Sequence, residues 1–251
     1  MTRQIRPMLF AAAGIAAGIA AATPVSAGQA TQADTVVELF TSQGCSSCPP
    51  ADAVAGQLLK HKNIVVLSLP VDYWDYLGWK DTFAKHQFTD RQRQYSAARG
   101  DGQVYTPQVV VNGLQHAVGS EADSIQEAIA STKSVLSGKR VQLTLSESGD
   151  GMTIAIGDAP AGLSAGHANL VLADFKSSAD VTIRRGENGG HTVTYYNVVR
   201  ELKPIGTWNG KAMTVHLSKA DMAVGDSDGC AVFLQQGQSG AILAAAQYSG
   251  W

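Results

Sequence analysis

The sequence predicts an α/β domain over residues 33–138, followed by a smaller all-β, sandwich-like domain over residues 139–251. In the first part strand patterns alternate with helix patterns, which favours parallel pairing of the first two strands. In the second part short strand patterns are separated by clusters of Gly, Asp, Ser and Asn, and helical periodicity is absent. This change of pattern at Ser137–Gly138 marks the predicted domain boundary.

The α/β part begins with the β-branched run Thr35–Phe40, followed by the predicted helix Pro49–Lys62, whose apolar residues share one face. The near-continuous apolar run Ile64–Val71 is typical of a strand that is covered on both faces. The remaining predicted elements are a polar helix at Asp90–Arg99, a strand that starts at Pro107 and ends in an Asn112-Gly113 hairpin, and a helix at Ser120–Ser137.

The N-terminus has the pattern of a secretory signal peptide over residues 1–27. Arg3 and Arg6 precede an apolar run rich in Ala and Gly, and Pro24–Ala27 offers small residues at the positions that a signal peptidase recognises. The apolar run is shorter than the ~20 residues that a membrane-spanning helix needs. We therefore expect a periplasmic or secreted protein that has no membrane association after cleavage.

The charge composition gives no reason to expect nucleic acid or an anionic membrane as a partner. The chain has 19 Lys and Arg against 21 Asp and Glu, a formal charge of −2, and these residues are well mixed. A nucleic-acid-binding surface would need an excess of positive charge. The sequence does not specify an oligomeric state.

Cys45 and Cys48 form a C-x-x-C pair between the first predicted strand and the first predicted helix. Unpaired N–H groups and the helix dipole stabilise a thiolate at a helix N-terminus, where a cysteine pKa can fall from about 8.5 to roughly 3.5–7.5. We therefore expect Cys45 to be the exposed attacking thiolate and Cys48 to be the buried resolving thiol. The third cysteine, Cys230, lies in an apolar strand pattern and is expected to be inert.

Other uses of the cysteine pair are less well supported by the sequence. No second pair of ligands at zinc spacing exists, and the histidines are scattered singly, so no metal or cofactor is predicted. A purely structural disulfide that closes so short a loop would remove little chain entropy. Two alternatives stay open: copper(I) handling by the two thiolates, without methionines nearby in the sequence, and a redox-sensing binding protein without turnover.

Residues from two other segments are expected beside the cysteines. Loops at the carboxyl ends of parallel strands share one sheet edge, which brings the aromatic loop Asp72–Asp81 to Cys45. A strand that starts at Pro107 and runs antiparallel also begins there, and a cis Pro107 would present the backbone of Thr106 to a substrate strand. The loop residues Tyr73, Trp74 and Trp79 then either line a substrate groove or fold inward onto the helix after Cys48.

Two resemblances extend this interpretation. Residues 36–137 resemble the thioredoxin fold, with Cys45, Cys48 and Pro107 in the expected order. More closely, Val37–Asp52, Val71–Asp81, Val104–Gln108 and Arg184–Arg200 resemble a bacterial family of secreted thioredoxin-like proteins that is catalogued as a domain of unknown function, number twelve twenty-three. This resemblance implies fold and export, and it brings no assigned substrate.

The thioredoxin resemblance also implies a role for Glu38. Thioredoxins keep a buried acid on the strand before the cysteines, and Glu38 lies one position from the usual spacing. A buried carboxylate there could take the proton of Cys48, whereas a glutamate at the surface could not. Ser46-Ser47 between the cysteines and Gly44 before them depart from ordinary thioredoxins, so the direction of electron flow stays open.

Taken together, these observations predict an exported thioredoxin-like protein that exchanges thiols and disulfides through its C-x-x-C pair. The expected partners are protein thiols or disulfides in the cell envelope.

Overall fold

The computed structural model describes residues 1–2, 29–149, 151–163, 166–222 and 225–249. The predicted signal peptide, residues 1–27, lies outside these ranges except for its first two residues. Among the described residues, no helix has the length and apolar character needed to cross a membrane.

The chain forms two β-sheets and four α-helices within the described ranges. The helices are α1 (Pro49–Leu58), α2 (His86–Arg99), α3 (Ala122–Val135) and the short α4 (Lys219–Met222). The first strands are β1 (Gln29–Ala33), β2 (Thr35–Thr41), β3 (Ile64–Pro70), β4 (Gln108–Val111), β5 (Gln115–Val118) and β6 (Leu143–Ser148). They are followed by β7 (Gly151–Ile156), β8 (Ala168–Thr182), β9 (Thr192–Trp208), β10 (Met213–Ser218), β11 (Gly229–Gln236) and β12 (Ile242–Ser249).

The N-terminal elements follow the order predicted from the sequence. Strands β2 and β3 are parallel, while β4 runs antiparallel to β2 and pairs with β5. Asn112 and Gly113 both have positive φ angles, 51° and 71°, and close the predicted β4–β5 hairpin. Helix α2 begins four residues before the predicted start, because its polar first turn, His86–Thr89, gave no apolar signal apart from Phe88.

Apolar side chains cover both faces of β2, which explains why all seven of its residues are buried. On one face, Val37 and Leu39 pack with apolar residues of α1 and α3. On the other face, Val36 and Phe40 pack with residues of α2, among them Tyr95. Because successive side chains of a strand point to opposite faces, alternate residues of β2 face α1 and α2.

Strands from both sides of the predicted domain boundary share one sheet. Its nine strands have the order β1-β12-β11-β8-β9-β3-β2-β4-β5, and β9 joins β3 in parallel at Val198 and Ser68. The smaller sheet, β10-β7-β6, packs on this large sheet through one apolar cluster that includes Ile154, Leu170 and Val232. Sequence patterns predicted the β2–β3 and β4–β5 pairs but not how the C-terminal strands join them, because that pairing depends on contacts that are distant in the chain.

Candidate redox site

Cys45 and Cys48 are joined by a disulfide at the start of α1. Both cysteines lie in the loop that follows β2, a strand of the parallel pair, and Cys48 is the N-cap residue of the helix. Pro49 and Pro50 occupy the first helical positions, where a missing N–H costs no hydrogen bond. The carbonyl oxygen of Cys48 accepts hydrogen bonds from the backbone N–H groups of Ala51 and Asp52, at 2.8 and 3.1 Å.

Both cysteines are buried. Cys45 is 1% exposed and Cys48 is fully buried. This corrects the expectation that Cys45 would be an exposed nucleophile. The serines between them, Ser46 and Ser47, are the exposed residues of the motif, and the Ser47 hydroxyl lies 3.4 Å from the Cys45 Sγ.

The aromatic loop and the start of β4 meet the cysteine loop at Gly44. A β-carbon on Gly44 would lie 3.1 Å from the Trp74 Cβ and 3.2 Å from the Trp74 carbonyl oxygen, which explains the absence of a larger residue there. The Trp74 indole N–H donates to the Thr106 hydroxyl at 2.7 Å. The peptide bond between Thr106 and Pro107 is cis, as the sequence had suggested. The structure therefore brings Trp74 to Gly44, next to Cys45, and joins it to Thr106, the residue before Pro107.

The other predicted groove residues are tied to neighbouring side chains. The Trp79 indole N–H donates to Gln43 Oε1 at 2.8 Å, and the Tyr73 hydroxyl donates to Gln92 Oε1 at 3.1 Å. Both rings are half-buried, whereas Tyr76 is 78% exposed. Trp79 is thus bonded to Gln43, two positions before Cys45, and Tyr73 is bonded to Gln92 of α2.

The tip of the β8–β9 hairpin covers the cysteine loop. The Asn188 side-chain amide donates to the carbonyl oxygens of Gln43 and Cys45, at 3.0 and 2.9 Å. The Glu187 carboxylate accepts from the backbone N–H of Ser46 at 3.3 Å. Sequence reasoning missed these two residues, because they lie more than 140 positions from Cys45 and belong to an ordinary strand–loop–strand pattern.

Two buried acids lie next to the motif. Asp52, four positions after Cys48 on α1, is 1% exposed, and the hydroxyl of Thr41 donates to its Oδ1 at 2.9 Å. Its Oδ2 has no hydrogen-bond partner among the described residues. Burial raises the pKa of Asp52 well above its ordinary value, and the nearby Asp81 adds to this increase. Asp81 Oδ2 accepts from the backbone N–H of Gln43 at 2.8 Å, and burial raises its pKa to about 6.

Glu38 does not lie on the cysteine side of the sheet. Its neighbours Val37 and Leu39 face α1, so Glu38 faces α2, where Arg91 Nε and Nη2 donate to its two oxygens at 2.6 and 3.1 Å. The hydroxyl of Tyr95 also donates to Glu38. This placement makes Glu38 part of a buried ion pair and corrects the expected proton relay from Cys48. The one-position offset from the usual spacing was the signal, since it reverses the face of the strand.

The described residues contain no group of three or more His, Cys, Asp or Glu side chains that could hold a metal ion. Cys230 is fully buried in β11, where burial and the neighbouring Asp174 raise its pKa.

The fold and this site define a mixed α/β protein in which two cysteines, separated by two residues, form a disulfide at the start of a helix. The chain belongs to the family DUF1223, described as a protein of unknown function, whose family model matches residues 36–235. It is similar to a crystal structure of a protein from Agrobacterium tumefaciens, with 36% identity, a TM-score of 0.77, and coverage of 87% of this chain and 95% of that one.

A second solved structure, HBP35 of Porphyromonas gingivalis, shares the fold. Its identity to this chain is 14% and its TM-score is 0.55, over 87% of this chain and 76% of that one. None of the curated proteins matches the chain.

Proposed function

We propose that this protein is an exported thiol–disulfide oxidoreductase with a thioredoxin-like domain, which acts on protein cysteines through Cys45 and Cys48. The observation that carries the proposal is the position of their disulfide, at the start of α1 and after a strand of a parallel pair, with Thr106 and Pro107 just before the antiparallel strand β4. The helix N-terminus stabilises negative charge on a sulfur that leaves the disulfide. The order of elements from β2 to α3 supports the thioredoxin-like assignment.

The reaction in the oxidising direction has two displacement steps. A substrate thiolate attacks Cys45 Sγ, the disulfide bond breaks, and its electron pair leaves on Cys48 Sγ. A second substrate thiolate then attacks the substrate sulfur of the mixed disulfide, which forms the substrate disulfide and releases the Cys45 thiolate. Two electrons pass from the substrate dithiol to the cysteine pair, and the reverse sequence reduces a substrate disulfide.

Asp52 is the group proposed to exchange a proton with Cys48. The two residues are four positions apart at the beginning of one helix, a spacing that places side chains on the same face. Burial keeps the Asp52 carboxyl protonated to a higher pH than a carboxyl in water, because its pKa is raised. It can therefore give a proton to the Cys48 thiolate when the disulfide opens and take it back when the disulfide reforms.

The proposed chemistry places the protein outside the cytoplasm, in the periplasm or in the secreted fraction, where protein disulfides persist. Its partners there are protein thiols or disulfides.

Replacing Cys48 with serine is expected to trap substrates on Cys45 as mixed disulfides, because the resolving thiol is lost. The measurement is electrophoresis of cell-envelope extracts without reductant, followed by mass spectrometry of the adducts that dithiothreitol releases. The matched control is Cys45→Ser, which lacks the attacking sulfur and should trap none. Equal adduct yields from the two variants would contradict the assignment. One tightly bound Cu(I) per wild-type chain, without thiol exchange, would favour the copper alternative.

A further inference from the structure

The β8–β9 hairpin extends past the large sheet as a two-stranded arm. Strand β8 pairs with β11 as far as Phe175, and from Lys176 to Thr182 its partner is β9. Strand β9 is joined to β3 by the Val198–Ser68 pair and by hydrogen bonds from the Ser68 hydroxyl to the Tyr196 carbonyl oxygen and from the Asn197 side-chain amide to the Val66 carbonyl oxygen. Residues 176–198, here called the hairpin arm, are therefore fixed to the sheet at their base. The tip, residues 184–190, lies beyond the last paired residues of β8 and β9 and can move without separating β9 from β3.

Polar contacts hold the tip of the hairpin arm on the cysteine loop. Asn188 is 6% exposed, and its one amide group binds the carbonyl oxygens of both Gln43 and Cys45. Glu187 is exposed and accepts from the backbone N–H of Ser46. The backbone on either side of the Cys45 sulfur is thus bound by side chains of the arm.

The arm also packs on the aromatic loop. A β-carbon on Gly186 would lie 3.2 Å from both the Trp79 Cβ and the Leu77 carbonyl oxygen, so glycine permits the close approach at the tip. Behind it, Ile183 and Val193 belong to an apolar cluster that Trp79 joins. The arm and the aromatic loop both contact the cysteine loop, through Asn188 and Trp74, and are here called the cover.

In this closed arrangement the cover hinders the approach of a thiolate to the Cys45 sulfur. Disulfide exchange requires a thiolate to reach a sulfur, and Cys45 is 1% exposed. A reacting thiol therefore needs the tip to leave the cysteine loop, which would leave the carbonyl oxygens of Gln43 and Cys45 without the Asn188 donor.

We infer that the tip of the hairpin arm selects which thiols react with Cys45, and that Asn188 is the specificity-determining residue. The inference rests on the proposed function. An extended polypeptide substrate can donate backbone N–H groups to the two carbonyl oxygens once Asn188 has left them. These hydrogen bonds offset the free energy lost when the arm opens. A small thiol such as dithiothreitol has hydroxyl donors but no extended backbone whose N–H groups could bind both oxygens. The selected substrates are therefore cysteines in extended polypeptide segments.

The test replaces Asn188 with aspartate, which has nearly the same shape but cannot donate to the two carbonyl oxygens. The rate of reduction of the disulfide by dithiothreitol should rise about tenfold or more, since two hydrogen bonds that close the cover are lost. The preference for an extended cysteine peptide over dithiothreitol should fall in proportion. The control is Thr192→Ala, which removes a hydroxyl contact with Thr182 in the same arm and should leave both rates within about twofold of wild type.

A second readout separates this inference from the proposed function. Each variant is reduced in denaturant, refolded without oxidant, and alkylated with iodoacetamide at Cys45. Faster alkylation in Asn188→Asp than in wild type supports the cover even if no variant exchanges disulfides, a result that would defeat only the proposed function. Equal alkylation and equal reduction rates in the two proteins would overturn the inference and leave the function standing. If Asn188→Asp does not fold, as judged by circular dichroism, Glu187→Ala takes its place with the same two readouts, and equal rates there overturn the inference.

Discussion

Replacing Arg91 with alanine is expected to lower the free energy of unfolding by about 3–5 kcal/mol, because the substitution leaves the Glu38 carboxylate buried without its partner. The Glu38 side chain is fully buried and the Arg91 side chain is 10% exposed. Arg91 also donates to the hydroxyl of Tyr95 at 2.6 Å and to Gln235 Oε1 at 3.0 Å, so one truncation removes donors from three buried groups. Urea or thermal unfolding followed by circular dichroism measures the loss.

Arg93→Ala is the matched control on the same helix. The Arg93 side chain is 56% exposed and its nearest acidic partner, Asp90, is 3.8 Å away, so this change should alter the free energy of unfolding by less than about 1 kcal/mol. The double variant Glu38→Leu, Arg91→Leu should recover much of the loss, since no unpaired charge remains. Similar stabilities of Arg91→Ala and Arg93→Ala would contradict the importance of the buried pair.

Replacing Asp52 with asparagine is expected to slow disulfide exchange by about 10²–10⁴-fold, the usual contribution of a positioned acid or base. Asparagine has nearly the same shape and can still accept the hydrogen bond from the Thr41 hydroxyl, so the change removes the titrating proton and keeps this contact. The measurement is the turnover of a peptide disulfide as a function of pH. The matched control is Asp123→Asn, an exposed acid in the first turn of α3, which should leave turnover unchanged.

The Asp52→Asn variant should also change how the free energy of unfolding depends on pH. Burial raises the pKa of Asp52 in the folded protein, so the folded state holds this proton more tightly than the unfolded state does. Its contribution to stability is complete below the ordinary pKa of aspartate and is lost as the pH rises through the folded-state pKa. Wild type should therefore lose stability relative to Asp52→Asn as the pH rises. Wild-type turnover in Asp52→Asn would contradict the proton role, whatever its stability.

Local patterns in the sequence were sufficient for the elements that surround the cysteines. The β-branched run of β2, the prolines at the start of α1 and the Asn112-Gly113 turn each have a local physical cause, and all three lie where the sequence predicted them. Pro107 was expected to begin a strand antiparallel to the first, and β4 has this orientation.

The missed features depend on distant contacts. The contacts of Asn188 and Glu187 with the cysteine loop were missed, because their strand–loop–strand pattern gives no sign of where the hairpin tip lies. The roles of Glu38 and Asp52 depended on which face of a strand or helix is buried. A one-residue offset decides that face, and an acidic residue in the first turn of a helix, where Asp52 lies, is common whether or not it is buried.

The central claim is that Cys45 and Cys48 exchange electrons reversibly with thiols in the folded protein. In the most direct measurement, the native protein is equilibrated in glutathione buffers of increasing reducing strength. Free thiols are then alkylated, and the mass of the intact chain is determined by mass spectrometry. We expect a two-electron transition at the same midpoint whether the starting protein is oxidised or reduced. A disulfide that stays closed in every buffer and opens only when the protein unfolds would contradict the claim.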